Sequence, residues 1–156
     1  GVRIVRVGTT KEMLEACREN IGDSKAAIFA AAPVDFAPEP QNNKIKRASL
    51  GGLLSLELYE TPDIISSLRE FHPGRFFVGF AAETTDVRSH AAGKLSAKGL
   101  DMIVANDVSK PGVGFGYDTN SVTILTSTGR EITVEIAAKR IIADRIFDEI
   151  LTEIEK

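Results

Sequence analysis

Polar side chains follow three apolar stretches of this sequence, each at the point where a strand is expected to end. Asp35 comes after KAAIFAAA, Glu83 ends FFVGFAAE, and Asn106 with Asp107 ends DMIVAND. Taken singly, each is explained as a turn or capping residue, because such side chains satisfy free backbone amides where a strand becomes a loop. Taken together, they converge on the rim where open parallel sheets bind ligands. The sequence therefore predicts a binding site at this rim.

Aromatic and cationic side chains are expected near the same rim. Phe80 can stack on a nucleobase, although a core phenylalanine is the commoner explanation. Lys94 and Lys98 lie four residues apart, so they share one helix face, where like charges repel mildly. A solvated face explains this spacing too, but an anion such as a triphosphate would turn the repulsion into a benefit. Lys44 and Lys46 can approach the same anion from a proline-rich loop.

The elements that must position these residues alternate between strand and helix patterns. In chain order we first expect a strand over Arg3–Val7, a helix from a Thr9 cap to Asn20, and a strand in KAAIFAAA. Two strands in KIKRASLGGLLSLELYE around Gly51-Gly52 follow, and then a helix in TPDIISSLREF, which is capped by Thr61 and has Pro62 at its first position. The remaining elements are a strand in FFVGFAAE, a helix closed by Gly99, a strand in DMIVAND, a hairpin of SVTILTS and EITVEIA, and a long C-terminal helix. Short apolar strands in this order are typical of a parallel sheet covered by helices. The predicted fold is α/β: a three-layer, Rossmann-like, mostly parallel sheet with helices on both faces and a C-terminal β-hairpin arm.

Composition bounds the class of protein. The 156 residues, 43% of them hydrophobic, suffice for one domain with a real core, residues 1–156. A net charge of −3 and the lack of basic runs with interleaved aromatics argue against nucleic-acid and membrane partners. The only cysteine, Cys17, fits a helical pattern and is interpreted as a core thiol rather than a nucleophile. No run of about 18 apolar residues or signal-peptide pattern occurs, which favours a cytoplasmic protein.

Three other motifs are rejected as functional signals. His72 and His90 have no partner at ligand spacing, so no metal site is predicted. PGVGFGYDTN has glycines at 112, 114 and 116, but a strand follows it and no lysine takes the expected place. We interpret it as a flexible flap rather than a phosphate loop. A nicotinamide-linked oxidoreductase is set aside because VGTTKE holds one glycine where that class has three.

Several stretches occur together in a recognisable order: AAAPVDF, KIK, TPDI, VGFAAET, KGLDMIVANDVS and GFGYDTN. In this order they resemble the phosphopantothenate-cysteine ligase family, the synthetase half of a bifunctional coenzyme A biosynthesis flavoprotein, from Val5 onward. The resemblance implies ligation of cysteine to 4'-phosphopantothenate through an acyl-nucleotide made from CTP or ATP with Mg²⁺. It also implies a homodimer and a fused or partnered flavin-dependent phosphopantothenoylcysteine decarboxylase.

The resemblance also implies roles for individual residues. Catalytic roles fall on Lys44, in a mobile loop that closes over the reactants, and on Asn106, near the phosphopantothenate site. The residues implied to contact the nucleotide are Ala30, Ala31, Asp35, Pro62, Asp63, Ile64, Phe80, Lys94 and Lys98. Thr61 replaces the asparagine usual in the family before the Pro62 turn.

One departure from the family pattern leaves an alternative open. Members of the family begin with a glycine-rich strand and helix that precede the part matched here, so we expect the ligase domain to lack that N-terminal unit. A non-catalytic nucleotide-binding or dimerisation module is the alternative. For a homodimer, the flap and the C-terminal hairpin would meet a second copy; otherwise the hairpin extends its own sheet.

Overall fold

The computed structural model describes residues 1–40, 43, 53–108, 113 and 116–156. Over these residues the chain forms four helices and seven strands. The helices are α1 (Thr10–Asn20), α2 (Ile64–Phe71), α3 (Val87–Ala97) and α4 (Lys139–Ile154). The strands are β1 (Ala26–Phe29), β2 (Phe36–Pro38), β3 (Leu58–Glu60), β4 (Phe76–Glu83), β5 (Met102–Asp107), β6 (Thr119–Thr126) and β7 (Glu131–Ala138).

The main sheet has five strands in the order β1-β4-β5-β6-β7. The first three are parallel, with Ala26 opposite Phe76 and Val78 opposite Met102. Strands β6 and β7 continue the sheet as an antiparallel pair. The carboxyl ends of β1, β4 and β5 therefore meet at one edge, which we call the rim. The predicted Rossmann-like α/β class is confirmed.

Helices cover both faces of this sheet, as the three-layer prediction requires. On one face, Leu14 of α1, Leu68 of α2 and Ala91 of α3 pack against strand residues that include Phe77 and Ile103. The opposite face is covered by α4, whose buried residues are Ile142, Ile146, Glu149 and Ile150. Within the described part of the chain, no helix is both long enough and apolar enough to cross a membrane.

The C-terminal hairpin is present and belongs to the main sheet. Strand β6 pairs with β5 over Met102–Thr126 to Asn106–Val122, and its Ile124 is fully buried. This pairing favours the alternative in which the hairpin extends its own sheet. Of the expected flap, residues 111, 112, 114 and 115 lie outside the described residues; Val113 is buried and Tyr117 is half exposed.

Ion pairs fasten the β6–β7 turn to α4 at the end of the sheet opposite the rim. Arg130 Nη2 lies 2.8 Å from Glu149 Oε2, and Arg130 Nη1 lies 2.6 Å from Glu153 Oε1. Lys156 Nζ adds a 2.7 Å contact to the same Glu153 oxygen. Both carboxylates are almost fully buried, so each must be paired to avoid a large desolvation penalty.

Two local predictions are wrong for identifiable reasons. Residues 1–7 form no strand, because no described strand pairs with them, and Val2 and Ile4 are exposed. Helix α2 is capped by Asp63 rather than Thr61, since the Asp63 side chain accepts a hydrogen bond from the Ser66 backbone N–H. The Thr61 hydroxyl instead donates to the carbonyl of Val34.

Other local predictions fare as follows. The capping box of Thr9 and Glu12 at the start of α1 is confirmed. Gly99, expected to close α3, adopts a left-handed φ of 58° just beyond the helix. The second of the two strands expected between residues 44 and 60 is present as β3, which pairs with β2 in a separate ribbon. Lys44 and the Gly51-Gly52 turn lie outside the described residues.

Gly79 lies where β4 packs closely against the side chain of Leu100. A Cβ at this position would lie 2.6 Å from Cδ1 of Leu100, a buried side chain. We expect Gly79→Ala to lower the free energy of unfolding by about 1–3 kcal/mol, because a packed core resists added volume. The measurement is urea unfolding followed by circular dichroism.

Gly93→Ala is the matched control, since Gly93 lies within α3 and an added Cβ there would meet nothing within 4 Å. This variant should be more stable than the wild type by about 0.5–1 kcal/mol, the advantage of alanine over glycine in a helix. Equal stability of the two variants would contradict the packing assigned to Gly79.

Candidate functional site

The rim brings together the ends of three strands, as the sequence predicts. Ala30 and Ala31 follow β1, Glu83 is the last residue of β4, and Asn106 is the penultimate residue of β5. Asn106 lies opposite Ala82 in the sheet register. These residues share the rim because parallel strands end at the same edge.

The two rim residues of β4 singled out from the sequence, Phe80 and Glu83, lie on opposite faces of the sheet. Val78 packs with the buried side chains of α4 on one face of the sheet, a group that we call the α4 cluster. Ala81 packs with buried side chains of α1, α2 and α3 on the other face. Because side chains alternate along a strand, Phe80 lies on the α4 face and Glu83 on the α3 face. Phe80 and the Glu83 carboxylate are therefore separated by the sheet, so a ligand touching both must cross the rim.

The α4 face of the rim carries an exposed ring and an unsatisfied amide. Phe80 is 40% exposed, which is high for a phenylalanine in a central strand. Asn106 lies on the same face, since its alternation partner Val104 packs in the α4 cluster. The Asn106 Oδ1 atom is buried and has no hydrogen-bond partner among the described residues. A buried acceptor without a donor is costly, so this oxygen is a candidate for contact with a bound molecule.

The α3 face of the rim carries an ion-pair cluster centred on Glu83. Lys94 Nζ lies 2.6 Å from Glu83 Oε1, and His90 Nδ1 lies 3.3 Å from Glu83 Oε2. The hydrogen bond and the charge of Lys94 hold the pKa of Glu83 below its ordinary value, although burial of the carboxylate opposes this shift. Both oxygens of this carboxylate are thus occupied by partners from α3.

A second lysine meets a second carboxylate at the start of α2. Lys98 Nζ lies 3.5 Å from Asp63 Oδ2, and the Ser66 hydroxyl donates to the same oxygen at 3.0 Å. Burial acts to raise the pKa of Asp63, but the hydrogen bonds from Ser66 and the charge of Lys98 outweigh it and lower the pKa. Lys94 and Lys98, both at the C-terminal end of α3, therefore each have an acidic partner from another part of the chain.

The loops before α2 bring another group of predicted residues together. The Thr61 backbone N–H donates to the Asp35 carbonyl at 2.8 Å, which joins the loop after β1 to the Pro62 turn. Ile64, however, is buried in the core with its side chain, so only its backbone can reach a ligand. The predicted role of Lys44 concerns a residue outside the described part of the chain.

His90 is the site residue that the sequence interpretation missed. It was considered only as a metal ligand, whereas the structure places it against Glu83. Its spacing of four residues from Lys94 was a usable signal, because residues at this spacing share one helix face. The partner Glu83 was harder to find, since it lies on a different element.

Asp63 offers a test of the α2 end of the site. We expect Asp63→Ala to lower the free energy of unfolding near neutral pH by about 1 kcal/mol, because the N-cap of α2 is lost. Asp63→Asn should lose less, since the amide oxygen can still accept from Ser66. The lowered pKa means that ionised Asp63 stabilises the folded state above its unfolded pKa of about 3.9, and that this stabilisation is lost as pH falls through the folded pKa.

The difference between wild type and Asp63→Ala should therefore shrink below about pH 4. Urea unfolding across this range measures it, with Asp63→Asn as the matched control for the charge. A difference that stays constant on acidification would contradict the ionised cap.

The fold and the rim together define a Rossmann-like α/β protein with a candidate ligand site at the carboxyl ends of its parallel strands. A family model described as the C-terminal domain of the DNA/pantothenate metabolism flavoprotein matches residues 1–154. The chain therefore belongs to this family.

Curated proteins of known name resemble the chain over nearly all its length. The coenzyme A biosynthesis bifunctional protein CoaBC of Bacillus subtilis is 40% identical over 147 residues, 94% of this chain and 36% of that protein. The CoaBC protein of Vibrio parahaemolyticus is 35% identical over 151 residues, 96% of this chain and 38% of that protein. A cysteine/cysteine sulfinic acid decarboxylase from an unknown prokaryotic organism is 38% identical over 153 residues. The chain spans 36–42% of the length of these relatives.

Solved structures support the same fold. The C-terminal domain of CoaBC aligns with a TM-score of 0.74 and 32% identity, over 97% of this chain and 67% of that one. The DNA/pantothenate metabolism flavoprotein from Streptococcus pneumoniae aligns with a TM-score of 0.72 over 94% of this chain and 71% of that one, and at 22% identity it shows the fold alone.

These comparisons correct the family inferred from the motifs. The sequence motifs predicted the phosphopantothenate-cysteine ligase family, whereas the model that matches is that of the flavoprotein C-terminal domain. The names of the relatives give a bifunctional role in coenzyme A biosynthesis or a decarboxylase, and none of the three names a ligase. The family named from the motifs was therefore wrong. Homologues of the chain include coenzyme A biosynthesis proteins.

Proposed function

We propose that the chain binds a nucleoside triphosphate at the rim and serves the nucleotide-dependent ligation of cysteine to 4'-phosphopantothenate in coenzyme A biosynthesis. The proposal is carried by one observation: the exposed Phe80 ring and the unsatisfied Asn106 oxygen lie on the same face of the rim. An aromatic ring offers a stacking surface for any nucleobase. An unpaired amide oxygen calls for a donor, which a bound substrate can supply.

The cations of the rim are suited to the phosphates of the same ligand. Lys94 and Lys98 each present an ammonium group whose side chain is about half exposed. Lysine binds phosphate as a point charge and tolerates several geometries. Because these lysines lie on the α3 face and Phe80 on the α4 face, we propose that the nucleotide crosses the rim between them, with its base on Phe80.

The proposed reaction has two balanced steps. The carboxylate of 4'-phosphopantothenate attacks the α-phosphorus of CTP or ATP, so that an acyl-nucleotide forms and pyrophosphate leaves. The amine of cysteine then attacks the acyl carbon, loses a proton and forms the amide, while the nucleoside monophosphate leaves. The lysines would stabilise negative charge on the phosphates, and the predicted Lys44 loop would exclude water from the acyl-nucleotide.

Mg²⁺ is expected to arrive with the triphosphate. At the rim, Glu83 and Asp63 are each paired with a lysine, so these carboxylates do not form a ready site for a protein-held cation. No step is therefore assigned to a metal held by these residues. A homodimer and a flavin-dependent decarboxylase partner, both implied by the earlier resemblance, stay predictions.

Nucleotide binding tests the proposed site. In calorimetric titrations with CTP and ATP, Phe80→Ala should weaken binding about tenfold, because base stacking on an aromatic side chain contributes roughly 1–3 kcal/mol. Lys94→Ala should also weaken binding, since a phosphate contact is lost. The matched controls are Phe147→Ala, an exposed phenylalanine of α4, and Lys156→Ala, a lysine held by a glutamate at the opposite end of the sheet.

Unchanged affinity in both rim variants would reject the site. The reaction itself is tested by nucleotide-dependent pyrophosphate release that requires both 4'-phosphopantothenate and cysteine. Nucleotide binding without pyrophosphate release would favour the non-catalytic module. Release of CO₂ from cysteine is measured in parallel, because one relative is named a cysteine/cysteine sulfinic acid decarboxylase; CO₂ release without nucleotide would contradict the ligase proposal.

A further inference from the structure

We propose that Glu83 is a positioning residue for nucleotide binding: it fixes the Lys94 ammonium at the rim before the phosphates arrive. The inference rests on the proposed function, which assigns Lys94 to the phosphates and gives Glu83 no role. It concerns how the lysine is made ready, and Glu83 itself is not expected to touch the nucleotide.

The exposures of the two partners show which of them can meet a ligand. The Glu83 side chain is 14% exposed, whereas the Lys94 side chain is 50% exposed. The carboxylate thus lies beneath the ammonium group. An ammonium group has three N–H donors, and the 2.6 Å contact to Glu83 Oε1 uses one of them. Since no other described residue contacts Lys94 Nζ, two donors remain for phosphate oxygens.

Glu83 is itself held in place by its backbone and by its second carboxylate oxygen. Its backbone belongs to β4 and lies opposite Asp107 of β5 in the sheet register. Its second oxygen, Oε2, is 3.3 Å from His90 Nδ1. A carboxylate fixed in this way gives Lys94 a stationary partner. The Lys98–Asp63 pair is looser, because its atoms are 3.5 Å apart and both side chains are more than 40% exposed.

Holding a lysine in place favours binding for an entropic reason. A free lysine side chain has four rotatable bonds and loses much of its rotamer freedom when it contacts a ligand. An ion pair that already restricts these bonds reduces the loss on binding. A carboxylate that only masked Lys94 would have the opposite effect, because it would compete with the phosphates for the ammonium group. The two roles predict opposite effects of removing Glu83.

A double-mutant cycle separates them. CTP affinity is measured by calorimetry for wild type, Glu83→Ala, Lys94→Ala and the double variant, with urea unfolding of each. Positioning predicts that Glu83→Ala weakens CTP binding about fivefold to tenfold, and that the same change has no further effect when Lys94 is already alanine. Glu83→Gln, which keeps an acceptor oxygen, should restore part of the affinity and serves as the second variant if Glu83→Ala unfolds.

Glu153→Ala is the matched control, because Glu153 also binds a lysine but lies at the end of the sheet opposite the rim. It should lower stability and leave CTP affinity unchanged. Tighter binding by Glu83→Ala, or an equal loss in the presence and absence of Lys94, would overturn the positioning role. If the wild type binds CTP and Lys94→Ala weakens it but Glu83→Ala does not, only this inference fails. If the wild type binds neither CTP nor ATP, the proposed function fails and this inference with it.

Discussion

Strand β4 is covered on both faces, and this constraint determines where the side chains of the rim can point. Phe77 and Val78 are both fully buried, the first against α1, α2 and α3 and the second against α4. Alternation along the strand then sends Phe80 to one face and Glu83 to the other. The buried part of β4 thus fixes the geometry of its exposed end. A nucleotide that uses both faces must lie across the strand ends, which is the usual place for ligands on open parallel sheets.

Ion pairs between a shielded carboxylate and a half-exposed lysine occur at both ends of this sheet. At the β6–β7 turn, Arg130 and Lys156 neutralise glutamates that are almost fully buried, an arrangement suited to holding α4 in place. At the rim, the carboxylate of Glu83 is shielded while Lys94 is half exposed. Lys156 is as exposed as Lys94, so the exposure of the cation does not distinguish the two clusters. The difference lies in position, because Glu83 and Lys94 meet at the carboxyl ends of the parallel strands, where open sheets bind ligands.

Local patterns predicted the elements that depend on local physics. The capping box of Thr9 and Glu12 starts α1, and continuous apolar runs mark β4 and β5. The strand expected over residues 3–7 failed because a strand needs a hydrogen-bonding neighbour, which a local pattern cannot reveal. Thr61 was predicted as the cap of α2 because Pro62 would then occupy the first helical position, whereas the helix begins two residues later with Asp63 as its cap. The position of the Glu83 carboxylate beneath Lys94 depends on how α3 packs on β4, so spacing in the sequence did not disclose it. The division of the site between two faces could have been predicted from the sequence, because side chains alternate along the strand FFVGFAAE.

The central claim is that a nucleotide lies across the rim with its base on Phe80. Intermolecular nuclear Overhauser effects between the base protons of bound CTP or ATP and selectively labelled phenylalanine rings test it most directly. The account predicts contacts from the base to the Phe80 ring, and none to Phe147 on α4 or to His90 on α3. Base contacts confined to the α3 face, or saturable binding without any contact to Phe80, would contradict it.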